Sequence, residues 1–391
     1  MIQEIQEDGL PIKMWVDKLD EHAWKEVRNL ASLPFAFKHI ALMPDAHGGK
    51  GMPIGGVLAT KDVIIPNAVG VDIGCGMCAI KSNINVKEIT SDILRKQIMR
   101  GIRKRIPLGR ERQKQIQDDS CMPHDVNITE TTLAQRKYLS ALKQIGTLGG
   151  GNHFIELQKD VDDNLWIMIH SGSRNLGKEI GEYYNTLAEK LNSRFLSQVN
   201  TDMHLAFLPM STKWGKQYWS DMKYCVAFAH SNRKLMMERI KEVLTDSFPN
   251  AAFEPMINIA HNYATREEHF GEQVIVHRKG AVHAGVGEIG IIPGSQGTKS
   301  YIVEGLGNAD SFCSSSHGAG RAMSRSEAFY NLSLKDEIAH LESMKIVHSV
   351  RFQKDLEEAT SAYKDIEEVM KNQQDLVKPL IELSPIAVIK G

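Results

Sequence analysis

The chain lacks several features that mark membrane-bound or secreted proteins. It has no apolar run approaching the roughly 18 residues of a membrane span, and its first residues, MIQEIQEDGLPIKMW, do not have the basic and apolar segments of a signal peptide. Only five cysteines are scattered over 391 residues, an odd number that does not predict a disulfide framework. We therefore expect a soluble cytoplasmic protein with no membrane partner, whose thiols are reduced and in part metal-bound.

A strong overall charge is also missing. The 47 basic and 48 acidic residues give a net charge of −1, which excludes a global nucleic-acid signature. The segment 95–114, RKQIMRGIRKRIPLGRERQK, is locally different because it holds nine Lys or Arg and only one acid, Glu111. Two interpretations of this basic segment remain open, a solvated helix face and a surface that contacts phosphates.

Glycine-rich stretches with short β-branched runs alternate with stretches of helical apolar spacing. The first kind predicts strands joined by tight turns within 36–82, 146–177 and 274–321. The second predicts helices over 86–105, 178–197, 218–244, 324–347 and 355–383. Because the chain has no fixed repeat, low-complexity segment or Pro/Ser-rich linker, we expect one interwoven α+β domain over residues 1–391.

Four of the 15 histidines have unusual surroundings. His153, His170, His261 and His317 lie in Gly-, Ser- or Asn-rich segments, where the end of a strand can present an imidazole to a cleft. A single histidine of this kind is more often a hydrogen-bonded structural residue. Four in similar settings favour a functional site.

The stretch VGVDIGCGMC, residues 69–78, adds a carboxylate and two thiols to what resembles the end of a buried strand. A zinc ribbon needs a second CxxC, which is missing, and a thioredoxin-like motif needs the CxxC to open a helix. Asp72 and Cys75, with glycines that let both side chains face one point, instead complete a metal-binding set with the histidines. The thiolate favours zinc or another borderline metal, and Cys78 is expected to be a small buried residue.

The segment CSSSHGAGR surrounds His317 with small residues and places Arg321 after it. Such a loop lets backbone N–H groups approach phosphates, and an imidazole placed there can accept a phosphoryl or nucleotidyl group. The upstream loop IIPGSQGTKS, residues 291–300, is of a similar phosphate-cradling type, although it is no Walker motif.

Blocks along nearly the whole chain resemble the RtcB family of GTP-dependent RNA ligases. They include MPDAHGGKGMPIGGV, IPNAVGVDIGCGM, GTLGGGNHFIE, HSGSR, AHNYA, RKGA, IPGSQGTKSYIV, SFCSSSHGAGRAMSR, YKDI and the terminal VIKG, in the order typical of the family. The resemblance implies an RtcB-like fold with a glycine-rich β core around a metal and nucleotide cleft. It also implies a ligase that joins RNA 2′,3′-cyclic phosphate or 3′-phosphate ends to 5′-hydroxyl ends, in tRNA splicing or RNA repair.

The resemblance further implies two manganese ions, where the thiolate had favoured zinc. Cys75 would bridge both ions, Asp72 and His153 would complete one, and His170 and His261 the other. His317 would take GMP from GTP and pass it to the RNA end, forming RNA(3′)pp(5′)G. Asp45 would orient His317, which makes chemical sense because a carboxylate fixes the imidazole tautomer.

Other positions match family residues that contact nucleotide or RNA. The resemblance implies phosphate or RNA contacts for Arg174, Lys279 and Arg321. It implies contacts with GTP or GMP for a larger set: Asn152, Glu156, Asn262, Ser295, Gly318, Ala319, Gly320, Tyr363 and Lys390.

The sequence departs from the family pattern in two places, and other functions remain open. Ala46 stands where valine is commoner, a mild change, and the segment between Gly109 and Gly146 looks shorter than in some bacterial members, which leaves the RNA substrate open between tRNA and rRNA fragments. Dependence on an archease-type activator is open as well. The alternative function is a metal-dependent phosphoesterase that acts on RNA ends without GTP. A second rival is a non-catalytic RNA-binding or scaffold role, against which the intact set of candidate ligands argues.

Overall fold

The computed structural model describes residues 1–195 and 197–391 and confirms the α+β class. Its α-helices range from a single turn to 35 residues. In the described part of the chain they are α1 (Glu21–Ala31), α2 (Pro66–Val69), α3 (Arg100–Arg105), α4 (Leu133–Ala141), α5 (Arg174–Arg194), α6 (Lys213–Ser247), α7 (Arg325–Asn331), α8 (Leu334–Ser343) and α9 (Ile366–Asn372).

Strands contribute a large share of the core in the described part of the chain. They are β1 (Gln3–Ile5), β2 (Ile12–Met14), β3 (Ala36–Lys50), β4 (Met52–Thr60), β5 (Val63–Ile64), β6 (Gly76–Asn85), β7 (Phe154–Lys159), β8 (Asn164–Ser171), β9 (Leu208–Pro209), β10 (Ile257–Ala260), β11 (Asn262–His269), β12 (Glu272–Lys279), β13 (Ala281–His283), β14 (Ile289–Ile292), β15 (Ser300–Gly305), β16 (Ser314–Ser316) and β17 (Val377–Lys390).

Two large sheets organise these strands. One has six strands in the order β1-β2-β3-β4-β12-β11, and the other has seven in the order β10-β6-β8-β7-β17-β15-β14. Consecutive β10 and β11 belong to different sheets, so His261, the residue between them, lies where the two sheets meet. The two-stranded pair β13-β16 brings the segment before His317 against the segment after β12.

The long helix α6 passes behind the loop that precedes β6. A Cβ on Gly74 would lie 2.8 Å from the Cα of Val226 and 3.0 Å from the carbonyl oxygen of Cys225, and Gly74 has a φ of +74°. Only glycine combines this backbone angle with so close an approach to a helix. Gly74 therefore allows the loop that carries Cys75 to pack directly against α6.

Most predicted strands are confirmed. The runs Val63–Ile65, 274–276 and 301–303 fall in or at β5, β12 and β15, and the second strand-rich region contains β7 and β8. The prediction that residues 69–78 form the end of a strand is wrong in one detail, because β6 begins at Gly76. Cys75 thus precedes a strand instead of ending one.

Two of the predicted helices are confirmed, and two are divided into shorter elements. The helix over 218–244 is the middle of α6, and the one over 178–197 is α5, which begins earlier at Arg174; position 196 lies outside the described residues. The helix over 324–347 is divided into α7 and α8 by the extended Leu332, and the one over 86–105 is divided into a 3₁₀ turn, a π-helix at Ile93–Met99 and α3.

The helix predicted over 355–383 is wrong in its second half. Residues from Val377 onward form β17, which pairs with β15 on one side and β7 on the other. The spacing of nearby apolar residues does not reveal strand partners that lie more than 70 residues away in the chain. None of the helices in the described part has the length and apolar character needed to cross a membrane.

Candidate functional site

Five predicted ligand residues meet at one end of the seven-stranded sheet. His153 precedes β7, His170 lies near the end of β8, and Cys75 precedes β6, which are neighbouring strands. Asp72 lies in the loop before Cys75, and His261 joins the group from the crossing between the two sheets. Residues separated by up to 189 positions in sequence therefore share one site.

The donor atoms of these residues converge. Cys75 Sγ lies 3.3 Å from Nε2 of both His153 and His170. His153 Nε2 lies 3.2 Å from Asp72 Oδ2, and His170 Nε2 lies 3.4 Å from His261 Nε2. One thiol is thus flanked by a carboxylate and imidazole on one side and two imidazoles on the other.

Backbone contacts orient two of the imidazoles. Nδ1 of His153 lies 3.0 Å from the carbonyl oxygen of Leu148, and Nδ1 of His170 lies 3.1 Å from that of Asn152. Because a carbonyl only accepts hydrogen bonds, Nδ1 carries the proton and Nε2 turns its lone pair toward Cys75. Lone pairs that face one another are unfavourable without a cation, and this arrangement is typical of metal-binding histidines.

Burial keeps His170, His261 and the Cys75 thiol neutral in the absence of an ion. It lowers the pKa of His170 and His261 well below the ordinary histidine value, and neighbouring imidazoles add to the effect. Burial also raises the pKa of the Cys75 thiol, as does the negative charge of Asp72. A bound cation would reverse the preference of the thiol, because metal ligation requires the thiolate.

Arg233 lies beneath this cluster and was not among the predicted residues. Its guanidinium is fully buried and donates to the carbonyl oxygens of Gly74 (3.1 Å) and Ser171 (2.8 Å), while Nε donates to Asn258 Oδ1 at 2.7 Å. It therefore ties α6 to the loop of Cys75 and to β8. The sequence carries no signal for this role, since Arg233 occupies an ordinary position in a long helix.

His317 lies beside the donor cluster and is held by Asp45. Its ring packs edge-on against His261 with centroids 4.8 Å apart. Asp45 Oδ2 accepts from Nδ1 of His317 at 2.6 Å and from its backbone N–H at 3.0 Å, and the carboxylate is fully buried. The carboxylate therefore fixes ring and backbone together, and leaves Nε2 of His317 as the free nitrogen.

A cavity of about 750 Å³ opens over His317 and His170. Its volume lies in the range of small-molecule and cofactor sites. Arg321, a predicted phosphate or RNA contact, lines this cavity. So do most residues of the predicted nucleotide-contacting set: Asn152, Glu156, Ser295, Gly318, Ala319, Gly320, Tyr363 and Lys390.

Glu358 organises the basic wall of this cavity and was also missed. Its carboxylate lies 3.4 Å from Arg321 Nη1 and 3.2 Å from Lys390 Nζ, and it accepts a hydrogen bond from the Tyr363 hydroxyl. Arg325 approaches it at 3.7 Å. Glu358 lies in the stretch predicted as a continuous helix, so its place beside four other cavity residues had no sequence signal.

Three of the predicted nucleotide, phosphate or RNA contacts lie outside the cavity lining. Lys279 Nζ donates to the carbonyl oxygens of residues 50 and 52, both at 2.9 Å. Asn262 donates to the Asp72 carbonyl at 3.1 Å and accepts from the Gly280 N–H at 2.8 Å, so it braces the ligand loop. Arg174 lies beside the donor cluster, with Nη1 3.2 Å from His153 Nδ1.

Glu156 is the most perturbed carboxyl group of the cavity. It is only 3% exposed, and Oε1 has no hydrogen-bond partner among the described residues. Burial raises its pKa to about 8, although the nearby Lys390 charge opposes the shift. At neutral pH this side chain is therefore mainly a neutral carboxylic acid.

This shift predicts how pH affects stability. Between the ordinary value of 4.5 and about 8 the native state binds more protons at Glu156 than the unfolded state does, so its contribution to stability falls as pH rises. Glu156→Gln has no carboxyl group at this position, so its stability should not fall in this way. The free energy of unfolding of the variant, relative to that of the parent, should therefore rise by up to about 1.4 kcal/mol for each pH unit between 4.5 and about 8. Urea unfolding from pH 5 to 8 measures the difference. The exposed control Glu368→Gln should follow the parent, and parallel curves for Glu156→Gln and the parent would contradict the shift.

Comparison with known proteins points in one direction. The family model described as tRNA-splicing ligase RtcB matches residues 26–391. The RNA-splicing ligase RtcB of Escherichia coli (strain K12) is 40% identical over 409 aligned residues that cover 98% of each chain. The tRNA-splicing ligase RtcB of Thermococcus kodakarensis is 30% identical and covers 98% of this chain and 93% of its own. The RNA-splicing ligase RtcB homolog 1 of Entamoeba dispar is 33% identical, over 94% of this chain and 81% of its own.

Proposed function

Since the chain belongs to the RtcB family of RNA-splicing ligases, we propose that it joins RNA ends carrying a 2′,3′-cyclic phosphate or 3′-phosphate to ends carrying a 5′-hydroxyl. We propose GTP as the energy source and two manganese ions as cofactors. The observation that supports this most is the position of His317, oriented by Asp45, between a converging set of metal-type donors and a nucleotide-sized cavity.

The donor cluster fits divalent cations. In our proposal Asp72 and His153 would hold one ion, His170 and His261 would hold the other, and Cys75 would serve both, since its thiol lies at the same distance from His153 and His170. When bound, such ions would stabilise negative charge that develops on phosphate oxygens. Manganese is proposed on the family relationship, since the thiolate on its own chemistry favours zinc.

The cavity fits a guanine nucleotide. The unpartnered Glu156 Oε1 offers an acceptor at its buried end, and guanine carries N–H donors along one edge. Lys390 and Arg321 supply positive charge, and small residues around His317 leave room for phosphates. Because Glu358 holds both cations and Tyr363 in place, the basic wall is formed before any ligand binds.

The chemistry proposed for these residues has three parts. Any cyclic phosphate is first hydrolysed to a 3′-phosphate. Nε2 of His317 then attacks the α-phosphorus of GTP, a phosphorus–nitrogen bond forms, and pyrophosphate leaves. An oxygen of the RNA 3′-phosphate next displaces the imidazole from GMP, which gives RNA(3′)pp(5′)G, and attack by the 5′-hydroxyl with loss of its proton releases GMP. While Nε2 is bonded to phosphorus the ring of His317 carries positive charge, and Asp45 balances that charge.

A single reconstitution tests the function. Purified protein with Mn²⁺, GTP and an RNA pair ending in 2′,3′-cyclic phosphate and 5′-hydroxyl is expected to form a joined product, and α-labelled GTP is expected to label the protein. No joined product and no GMP adduct on His317 would reject the ligase. Opening of the cyclic phosphate without GTP and without joining would support the phosphoesterase instead. Repeating the reaction with tRNA halves, nicked rRNA and an added archease-type activator tests the expected substrates and partner.

A further inference from the structure

The basic segment of 95–114 forms an exposed surface in the structure. Its members, called here the basic surface, alternate with buried apolar residues of the helix and continue into the following loop: Arg100, Arg103, Lys104, Arg110, Arg112 and Lys114. All six side chains are exposed. The buried Ile98 and Ile102 anchor the helical part to the core, so the charges are presented by a fixed element.

A solvated helix face would normally pair its cations with nearby acids. The segment does so at two positions, where Lys96 pairs with Asp92 (2.5 Å) and Arg105 with Asp246 (2.8 Å). Within the described residues, by contrast, Arg110 and Arg112 make neither an ion pair nor a side-chain hydrogen bond, and the basic surface as a whole has no acidic partner within 4 Å. Its positive charge is therefore free to meet an anion.

The basic surface begins at the rim of the cavity. The carbonyl oxygen of Pro107 accepts from Leu148 N–H at 3.0 Å, and Gly109 N–H donates to the Gly149 carbonyl at 2.9 Å. These bonds tie the loop before Arg110 to the segment that leads within three residues to Asn152, a cavity residue. The loop before Arg110 is thus hydrogen-bonded to the segment that leads into the cavity wall.

The glycines at 150 and 151 also connect the loop before Arg110 with the cavity. A Cβ on Gly150 would lie 3.6 Å from the Cα of Gly109, and one on Gly151 would lie 3.3 Å from Nη2 of Arg325. Arg325 lines the cavity and is half exposed. Arg325 and Arg110 therefore flank a strip of glycines, called here the glycine strip, which consists of Gly109 and Gly149–Gly151.

We propose that the phosphodiester backbone of the substrate RNA, on leaving the cavity, crosses this glycine strip and lies along the basic surface, with Arg110 and Arg112 as its first phosphate contacts. This inference rests on the proposed function, since it assumes that an RNA end occupies the cavity. The contacts carry no base specificity, because exposed arginines neutralise phosphates of any sequence. The surface raises affinity for the RNA body and takes no part in the chemistry at His317.

The double variant Arg110→Gln/Arg112→Gln tests the proposal, with Lys61→Gln/Lys87→Gln as a control of equal charge change. Lys61 and Lys87 pair with Glu272 and Asp163, and neither lysine lines the cavity. A fluorescent 30-nucleotide RNA with a 3′-phosphate is titrated at several KCl concentrations. The first variant is expected to bind about tenfold more weakly near 0.1 M salt, with a salt slope shallower by about 0.7 to 0.9 per lost contact. The control should match the parent.

Transfer of GMP to the protein separates this proposal from the function itself. Both double variants should be labelled by GTP at the parent rate, because neither pair touches the cavity chemistry, and KM for long RNA should rise in the first variant with kcat unchanged. Equal affinity and equal salt slopes for the two double variants would overturn the basic surface as an RNA contact. Absence of labelling in all three proteins would reject the ligase, whereas the RNA titration would still decide the surface.

Discussion

Replacing His317 with alanine is expected to abolish labelling of the protein by [α-32P]GTP and the joining of RNA ends, by roughly 10⁴-fold or more. Its imidazole lines the cavity and packs against His261 of the donor cluster, so it lies where the two meet. Its Nδ1 is engaged by Asp45 at 2.6 Å, so Nε2 is the nitrogen that faces a substrate. Labelling followed on a denaturing gel measures the loss directly.

A milder change at Asp45 distinguishes the nucleophile from the residue that positions it. Asp45→Asn keeps an oxygen that can accept from Nδ1 but removes the negative charge that balances a ring bonded to phosphorus. We expect labelling to slow by about 10² to 10⁴-fold without disappearing. The thermal midpoint of unfolding should be recorded alongside, since Asp45 also accepts from the backbone N–H of His317.

Controls for these variants come from the surface of the same chain. His124 is exposed and outside the cavity lining, so His124→Ala should be labelled like the parent. Undiminished labelling of His317→Ala would contradict the proposed nucleophile. Undiminished labelling of Asp45→Asn would show that the buried carboxylate serves only the fold of the His317 loop.

The residues within sequence motifs were the most predictable part of the site. The residues that hold them in place were the least predictable. Cys75 and the histidines stand out because their chemistry is unusual in glycine-rich loops, and the structure does bring them together. Arg233 and Glu358 are equally close to the chemistry but occupy helical stretches in which Arg and Glu are ordinary. What identifies them is burial and long-range contact, and neither leaves a local pattern in sequence.

The same contrast explains the errors in the fold. The 218–244 helix was predictable because its apolar stripe recurs over many turns, and α6 keeps that stripe buried along its length. β17 was not, because its strand state depends on β7 and β15 as partners, and strand formation is decided by such neighbours more than by intrinsic preference. A register shift between Pro385 and Ala387 further breaks the alternation that would have marked it as a strand.

Replacing Cys75 with alanine is expected to remove bound metal from the protein. The thiol lies 3.3 Å from an imidazole nitrogen on each side, so its loss affects both halves of the donor set at once. Removing a shared ligand should lower metal affinity by at least about 10 to 100-fold, the effect seen when even outer partners of metal ligands are lost. Elemental analysis of the purified proteins measures metal content and also decides between manganese and zinc.

Cys78 provides the matched control, because it lies three residues away and is fully buried among apolar side chains. Cys78→Ala should keep its metal and lose only roughly 1 kcal/mol of stability from reduced burial. The affinity of the parent should rise with pH, since burial raises the pKa of the Cys75 thiol and binding must expel its proton. In Cys75→Ala that proton release is gone, so metal bound with an unchanged pH dependence would show that Cys75 is not a ligand.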